Sequence, residues 1–443
     1  MTAGRTNEAS SSHTNQRDLN RVAVSSLLGT SMEWYDYFLY GLFAALIFDK
    51  LFFPELPGAA GSVMALLTFA IGFVARPLGG VIFGHLGDRV GRKSTLIITL
   101  TVIGGATGLI GCLPTYSQIG VAAPIILASL RFIQGLSLGG EWGGAVLMVV
   151  EHAPKDKRAI YGAMPQLGSP IGTVLSSGVI AIVTLLPDEA LMSWGWRLPF
   201  LLSFLMLAIA LYMRLRVEES PVFKQLQAEA DYNDEAKVKI PLFALLRSSL
   251  PQMALVIITC FFASGGFFLM TTYAVNYSTN VLGMTASLVL VATMVGAVLE
   301  AVGVVIGGRL GDRYSPASVV AGGGLLALIM IVPITFLISS GSPLLAATGI
   351  ALGIGVLGIP YGPLGTLLSQ LFDETHRYSG VAVSYNIAGL IGGFVPSLAL
   401  ALQTRIGDTV WVIGILFAII VAMTAVGGWG SGAMIRRTRR RGH

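Results

Sequence analysis

The sequence predicts an all-α integral membrane protein with twelve transmembrane helices in two six-helix halves. Three observations lead there. Uncharged stretches run from Leu96 to Leu130 and from Leu250 to Leu299; basic residues gather in alternate connections; and a short polar motif recurs half a chain later.

Only 12% of the 443 residues are charged and 54% are hydrophobic. Soluble domains carry roughly twice that charged fraction, so a soluble core is excluded. Runs of about 20 apolar residues are what a helix needs to cross hydrocarbon. The 55 glycines and 19 prolines then read as membrane-helix packing rather than loops. Lipid gives helices no hydrophobic reason to associate, so small residues that let backbones approach take that role. Gly80 and Gly84, Gly104 and Gly108, Gly135 and Gly139, and Gly389 and Gly393 have the spacing for it. Cys112 and Cys260 sit in apolar runs as small packing residues and give neither a disulfide framework nor a metal site.

In chain order, residues 1–20 are a polar, serine-rich tail without the apolar core of a signal peptide. The N-terminal half, 21–215, holds six expected helices. The first (22–48) is apolar but carries Glu33 and Asp36, and the second (61–84) contains Arg76 before Pro77. The third (94–113) has no charge, and the fourth (121–150) holds Arg131, Gln134 and Glu141. The fifth (159–185) is bent by Pro165 and Pro170, and the sixth (197–215) is a plain apolar run. A mixed-charge linker, 216–249, divides the chain. The C-terminal half, 250–434, repeats the plan with helices at 250–275, 286–308, 316–338, 343–370, 378–402 and 408–434. Its second helix carries Glu300, and Pro360 and Pro363 bend its fourth. The basic tail, 435–443, reads as an anchor to anionic lipid.

Charge placement tests the count. Of 28 lysines and arginines, 23 fall in the termini and even-numbered connections, three (Lys50, Arg197, Arg405) in odd-numbered ones, and Arg76 and Arg131 within helices. The positive-inside rule then places both termini in the cytoplasm. The same dispersal explains the net charge of +5 as membrane orientation and argues against nucleic acid as a partner.

Gly84-His85-Leu86-Gly87-Asp88-Arg89 recurs as Gly308-Arg309-Leu310-Gly311-Asp312-Arg313, after the second helix of each half. Two parallel repeats with a site between them near mid-membrane form a known transporter architecture. The full first copy, Gly84 to Lys93, resembles the loop signature of the major facilitator superfamily, as does Arg131-Phe132-Ile133-Gln134-Gly135 in the fourth helix. The second copy has Tyr314-Ser315 where the first continues Val90-Gly91-Arg92-Lys93. Met32-Glu33-Trp34-Tyr35-Asp36-Tyr37, Gly139-Gly140-Glu141-Trp142-Gly143-Gly144 and Glu219-Ser220-Pro221-Val222-Phe223 are similar to stretches of its metabolite:proton symporter family. Members carry organic acids such as α-ketoglutarate, citrate and shikimate, or osmolytes such as proline and betaine. The resemblance implies symport of such a small molecule with protons across a bacterial inner membrane, without a cofactor. Osmosensing members often have a long C-terminal extension, and its absence from this sequence favours a metabolite carrier over an osmosensor. An exporter on the same fold should have fewer buried charges.

Charges at mid-bilayer cost about 2.5–3.5 kcal/mol each on insertion scales, so each needs a partner or a job. Glu33 and Asp36, three residues apart, lie roughly 60° from each other on one helix face. Two such carboxylates suit proton coupling; fixed pairing with Arg76 or Arg131 is the competing reading. Arg76 and Arg131 offer guanidinium forks matched to a substrate carboxylate, with Gln134 one turn from Arg131 and Tyr37 one turn from Glu33 as further contacts. The resemblance also associates Arg131 with coupling. Glu141, about 15 Å from Arg131 along its helix, needs another partner, and Glu300 has no evident cation in its half; both are coupling candidates. In the motif, Gly84, Gly87 and Gly91 permit tight turns, and Asp88 can latch onto a helix N-terminus or an arginine across the halves. Arg89 and Arg92 are its expected neighbours, and Gly311, Asp312 and Arg313 form the second latch. His85, His152 and His376 fall in expected loops, where a catalytic or metal role is poorly supported. No nucleophile–base pair marks an enzyme, and no phosphate-binding glycine loop marks ATP-driven transport.

Overall fold

The computed structural model describes residues 16–56, 60–232, 242–407 and 409–441. The first fifteen residues of the expected tail, positions 233–241 of the linker and the last two residues lie outside them. All the regular structure among the described residues is helical.

The N-terminal half is built from α1 (Gln16–Leu46), α2 (Val63–Arg89), α3 (Arg92–Cys112), α4 (Ala122–His152), α5 (Arg158–Val183) and α6 (Arg197–Leu215). The C-terminal half is built from α7 (Ser249–Asn280), α8 (Ser287–Arg313), α9 (Pro316–Ile338), α10 (Pro343–Ser369), α11 (Arg377–Gln403) and α12 (Trp411–Thr438). Eleven of these are long and apolar enough to cross a membrane by composition. The twelfth, α1, has the length, 31 residues, but buries Ser25, Ser26, Thr30, Ser31, Glu33 and Asp36 against its neighbours. Its polarity belongs to the bundle interior.

The distribution of side chains is that of a lipid-solvated protein. Val74, Leu78 and Ile82 make an exposed apolar stripe on α2, and Val291, Val295, Val298 and Val302 one on α8. Arg131, Arg214, Asp36 and Glu141 are fully buried. Apolar surface faces out because the surrounding solvent is hydrocarbon.

Glycine sets the closest helix contacts. A Cβ at Gly79 would stand 1.8 Å from the Leu136 carbonyl oxygen, one at Gly135 2.2 Å from that of Gly72, and one at Gly139 2.2 Å from that of Arg76. These weld α2 to α4. In the other half a Cβ at Gly307 would stand 2.1 Å from Ile359 O, one at Gly358 2.2 Å from Glu300 O and one at Gly362 2.3 Å from Val304 O, so α8 and α10 are welded in the same way. Gly104 and Gly108 receive Leu207 and Phe204 of α6. Gly389 has nothing within 4 Å, so its spacing with Gly393 does not mark a close contact. Cys112 is exposed rather than packed; Cys260 is buried.

Four helices are interrupted, α11 at Phe394 among them. The Pro165–Leu167 stretch of α5 tightens into a 3₁₀ turn, α7 widens into π-helical turns at Phe262–Gly266 and Leu269–Tyr273, and α10 breaks on either side of Gly358–Tyr361. The prolines expected to bend α5 and α10 stand at two of these places. Irregular backbone at membrane depth is tolerated where it is buried in protein or lines a cavity. The halves meet chiefly along α2 with α11 and α5 with α8, with α4 also touching α10 and α11.

Candidate functional site

Away from the motif end, the charges buried in the N-terminal half resolve into three ion pairs. Glu33 on α1 accepts a 2.6 Å hydrogen bond from Nη2 of Arg76 on α2. Asp36, one turn further along α1, faces α3 and α4 instead. Arg131 Nη1 lies 3.2 Å from its Oδ2, Gln134 Nε2 donates at 2.9 and 3.0 Å to its two oxygens, and Thr107 Oγ1 donates at 2.8 Å. The Arg131 guanidinium also covers the Tyr40 ring at 4.3 Å and lies 5.2 Å from that of Phe69. The two acids on one face of α1 therefore hold separate cations, which is the competing arrangement anticipated for them. The two arginines differ in access. Arg131 is enclosed, whereas the Arg76 side chain is 12% exposed; the Nε of each lacks a hydrogen-bond partner among the described residues.

Glu141 finds its partner where a basic residue had been read as connection charge. Arg214, in the last turn of α6, donates from Nη2 at 2.7 Å, and Thr99 Oγ1 donates to the other oxygen at 2.5 Å. Gly29 of α1 admits this pair: a Cβ there would stand 2.5 Å from Arg214 Nη2 and 2.6 Å from Glu141 Oε1. Glu300 stands apart on α8, 3% exposed, without an ion pair among the described residues and with the Ser169 hydroxyl beside it.

Between the halves lies a small void, lined among others by Trp34, Ser169, Phe262, Phe267, Glu300 and Tyr361. The interrupted segments of α7 and α10 supply Phe262 and Tyr361, and Ser169 follows the α5 turn directly. To one side an aromatic cluster joins the halves. Tyr37 stacks on Phe268 at 5.6 Å and Trp34 meets Phe267 edge-on at 5.5 Å. To the other, Trp142 of α4 lies flat on Tyr385 of α11 at 3.7 Å while its Nε1 donates to Gln166 at 2.9 Å. Tyr37 thus belongs to the cluster that bridges the halves, and the Trp142–Tyr385 stack is a contact that single-residue reasoning gave no sign of.

Past that stack, at the end bearing the repeated motif, the halves are in close contact. Asp88 accepts from the backbone N–H of Tyr378 at 3.2 Å and of Ser379 at 2.9 Å, and from the Ser379 hydroxyl at 2.7 Å. Asp312 accepts from the backbone N–H of Ala159 at 2.7 Å and of Ile160 at 3.0 Å. Each motif aspartate caps the first turn of a helix in the other half. The motif itself is helical, since α2 and α8 run through it to Arg89 and Arg313. Gly84 and Gly87 are therefore not turn residues. They make room, a Cβ standing 2.8 Å from Ser379 Cα or 2.5 Å from the Tyr378 ring, and Gly311 does the same for Ala159 and Pro363 at 2.8 Å. Only Gly91, at φ 117, turns the chain.

Arg92 is buried and reaches Glu151 (3.4 Å) and Asp88 (3.8 Å); Arg89 and Arg313 point outward and are exposed. Glu151 also lies 3.6 Å from Arg377 of the other half and accepts from the Ser220 hydroxyl. Glu219 caps α3, accepting from the backbone N–H of Arg92 at 3.0 Å and of Lys93 at 3.1 Å. The start of the linker is thus tied to the motif, which explains the Glu219–Phe223 stretch. His85 and His152 lie in the last turns of α2 and α4 rather than in loops.

Twelve helices in two similar halves, interrupted helices around a central void and charges buried inside the bundle define a multi-pass membrane transporter, not an enzyme. The chain belongs to the major facilitator superfamily, whose family profile matches residues 27–396. It is 41% identical over 414 residues to the inner membrane metabolite transport protein YhjE of Escherichia coli K12, covering 92% of each chain. To the shikimate transporter of the same organism it is 39% identical, covering 92% of this chain and 93% of that one. The proline/betaine transporter of E. coli K12 is 33% identical over 86% of this chain and 77% of its own. In fold it is similar to the proton:xylose symporter XylE bound to 6-bromo-6-deoxy-D-glucose, with a TM-score of 0.75 at 15% identity over 95% of this chain and 96% of that one.

Proposed function

We propose that this protein is a proton-coupled symporter that imports a small organic acid, or a related polar metabolite bearing a carboxylate, by alternating access. The observation that carries the reading is Asp36 on α1, a carboxylate enclosed in the bundle and held by Arg131, Gln134 and Thr107. The guanidinium keeps its proton under all working conditions, so protonation of Asp36 removes one charge of the pair and frees the other. Such a step couples a proton to a rearrangement of α1 against α4. Arg76, partly exposed where Arg131 is enclosed, is the better placed of the two arginines for a substrate carboxylate. Glu33 then gives up Arg76 to the substrate carboxylate and becomes a second proton acceptor. Glu300 is a coupling candidate from the other half, and Glu141, locked to Arg214 within one half, supports the scaffold that moves.

In this reading residues 21–215 and 250–434 are the two moving bodies, joined by 216–249, with both termini in the cytoplasm. Asp88 and Asp312 are the paired latch on that side: their caps hold the cytoplasmic end shut and must break once in each cycle. The shikimate transporter's 39% identity supports an acid as cargo.

The test is uptake into proteoliposomes under an imposed proton gradient, with a panel of dicarboxylates, keto acids, shikimate, proline and betaine and a protonophore control. Protonophore-sensitive accumulation of a carboxylate is the expected result. Flux indifferent to the gradient for every carboxylate taken up would refute proton symport.

A further inference from the structure

The two flanks along which the halves meet at the motif end follow one plan but are unequally fastened. α5 and α11 correspond residue for residue. Arg158 and Arg377 open them, each reaching back with its Nε, to the carbonyl of Ala153 at 3.5 Å and of Phe372 at 3.4 Å. Ala159 and Ile160 then match Tyr378 and Ser379 as the residues capped by Asp312 and Asp88. The glycines opposite match as well. A Cβ at Gly308 would stand 3.1 Å from Ile160 Cα, and one at Gly84 2.8 Å from Ser379 Cα.

The side chains at corresponding places differ in one direction. Ser379 adds a hydroxyl bond to Asp88 at 2.7 Å, where Ile160 has no hydroxyl to give. Tyr378 sends its ring into a slot between Gly87 of α2 and Gly144 of α4 and donates from Oη to the Gly140 carbonyl at 2.7 Å; Ala159 has no such peg. Asn386 donates from Nδ2 to the Gly139 carbonyl at 2.7 Å, and its counterpart is Leu167. Arg377 lies 3.6 Å from Glu151, and the counterpart pair is Arg158 with the neutral Gln370. Trp142 stacks on Tyr385, whereas the corresponding places hold Tyr361 and Gln166. Against these, the α5–α8 flank has the Thr366 hydroxyl on the Arg158 carbonyl at 2.8 Å and, at the void, the Ser169 hydroxyl beside Glu300.

When the α2–α11 flank parts, Tyr378 and Asn386 give up buried bonds and Arg377 leaves a buried carboxylate. The Tyr378 ring must also leave its slot before α11 can move off α2 and α4. The other flank has no peg and fewer bonds to lose. We propose that the motif end opens in two steps, the α5–α8 flank first and the α2–α11 flank last, so that the space between the halves first meets water along α5 and α8. The proposal rests on the alternating-access reading above and adds an order to it.

The test uses two matched alanines, Ala163 on α5 and Ala382 on α11, both buried against the facing half. Ala163→Cys and Ala382→Cys are introduced singly into the full chain carrying Cys112→Ser and Cys260→Ala. The reaction of each with a small charged thiol reagent is timed in proteoliposomes without cargo. In a two-step opening Asp312→Ala eases the first step and raises both rates by the same factor. Tyr378→Phe eases only the second. It should raise the Ala382→Cys rate about five-fold, the weight of one hydrogen bond of ordinary net strength, and leave the Ala163→Cys rate near its start. Asn386→Leu, which installs the residue of the other flank, should repeat that result and serves if Tyr378→Phe fails to fold. Each comparison is made at one cysteine, so differences in intrinsic reactivity cancel. Equal effects of Tyr378→Phe on both rates mean a single concerted opening, and a rise at Ala163→Cys alone in Asp312→Ala means the reverse order. Either overturns the proposal and leaves alternating access standing. Rates that no variant moves at either position overturn the latch reading, and the order with it.

Discussion

Asp88 and Asp312 make the same contact in opposite directions: each closes the last turn of its own helix onto the first backbone N–H groups of a helix in the other half, α11 for Asp88 and α5 for Asp312. Two unsatisfied helix ends are satisfied across the interface rather than within a half. Loss of an N-cap side chain costs about 0.5–2 kcal/mol. Asp88→Ala and Asp312→Ala should each shift the equilibrium away from the state closed at this end, by about five-fold or more for a 1 kcal/mol loss. Thiol labelling of a cysteine placed at Ser379 should rise in Asp312→Ala, and initial uptake should fall in both variants. Unchanged labelling would remove the latch role.

Asp36→Asn keeps a side chain of the same shape, and its amide oxygen still accepts from Gln134 or Thr107. It should lower thermal stability, because Arg131 is left without its counter-ion, and keep substrate exchange while cutting gradient-driven accumulation about ten-fold or more, a barrier change of about 1.4 kcal/mol. Counterflow and gradient-driven uptake in the same vesicles measure the two separately. Loss of both together would make Asp36 structural.

Glu141 and Arg214 are fully buried, so removing either alone strands the other. Breaking such a pair costs about 3–5 kcal/mol, and Glu141→Ala and Arg214→Ala should each sharply lower thermal stability. Glu141→Gln with Arg214→Met should recover most of that loss. A double-mutant cycle on unfolding temperature reads the coupling, and simple additivity of the single losses would mean that the two do not act as a pair.

Gly79→Ala places a methyl 1.8 Å from a backbone oxygen that cannot rotate away, and the α2–α4 contact must open. A destabilisation of about 1–3 kcal/mol is expected. Gly389→Ala meets open space and should be neutral or gain up to about 1 kcal/mol from helix propensity. Thermal unfolding of the two variants side by side is the measurement; equal effects would refute the glycine weld.

The helix count and halving were legible because lipid imposes long apolar runs and the motif repeats. The ends were less so. The polar, glycine-rich Gly84–Arg89 and Gly308–Arg313 segments look like loops, yet both stay helical because their glycines face the other half. Pairing with Arg76 and Arg131 was within reach, since few cations lie deep enough to balance Glu33 and Asp36. Which acid takes which arginine depends on side-chain direction around α1, which spacing alone does not fix. Arg214 was missed because a basic residue at a helix end reads as orientation charge; only the want of a partner for Glu141 pointed to it. Thr99 and Thr107 carry no signal of their own, since a threonine in an apolar helix usually bonds its own backbone.

Glu151 is shared by two arginines and a hydroxyl, and they do not travel together. Arg92 and Ser220 stay with the N-terminal half and the linker that leaves it, while Arg377 belongs to the other half and also lies 3.6 Å from Glu374. When the motif end parts, the buried acid loses one cation but keeps the fully enclosed one. The departing arginine, 15% exposed, takes a carboxylate of its own towards water. Neither side is stripped bare, so the seal is firm when made yet has no large solvation barrier against being remade, the property a contact needs if it is to break and re-form thousands of times.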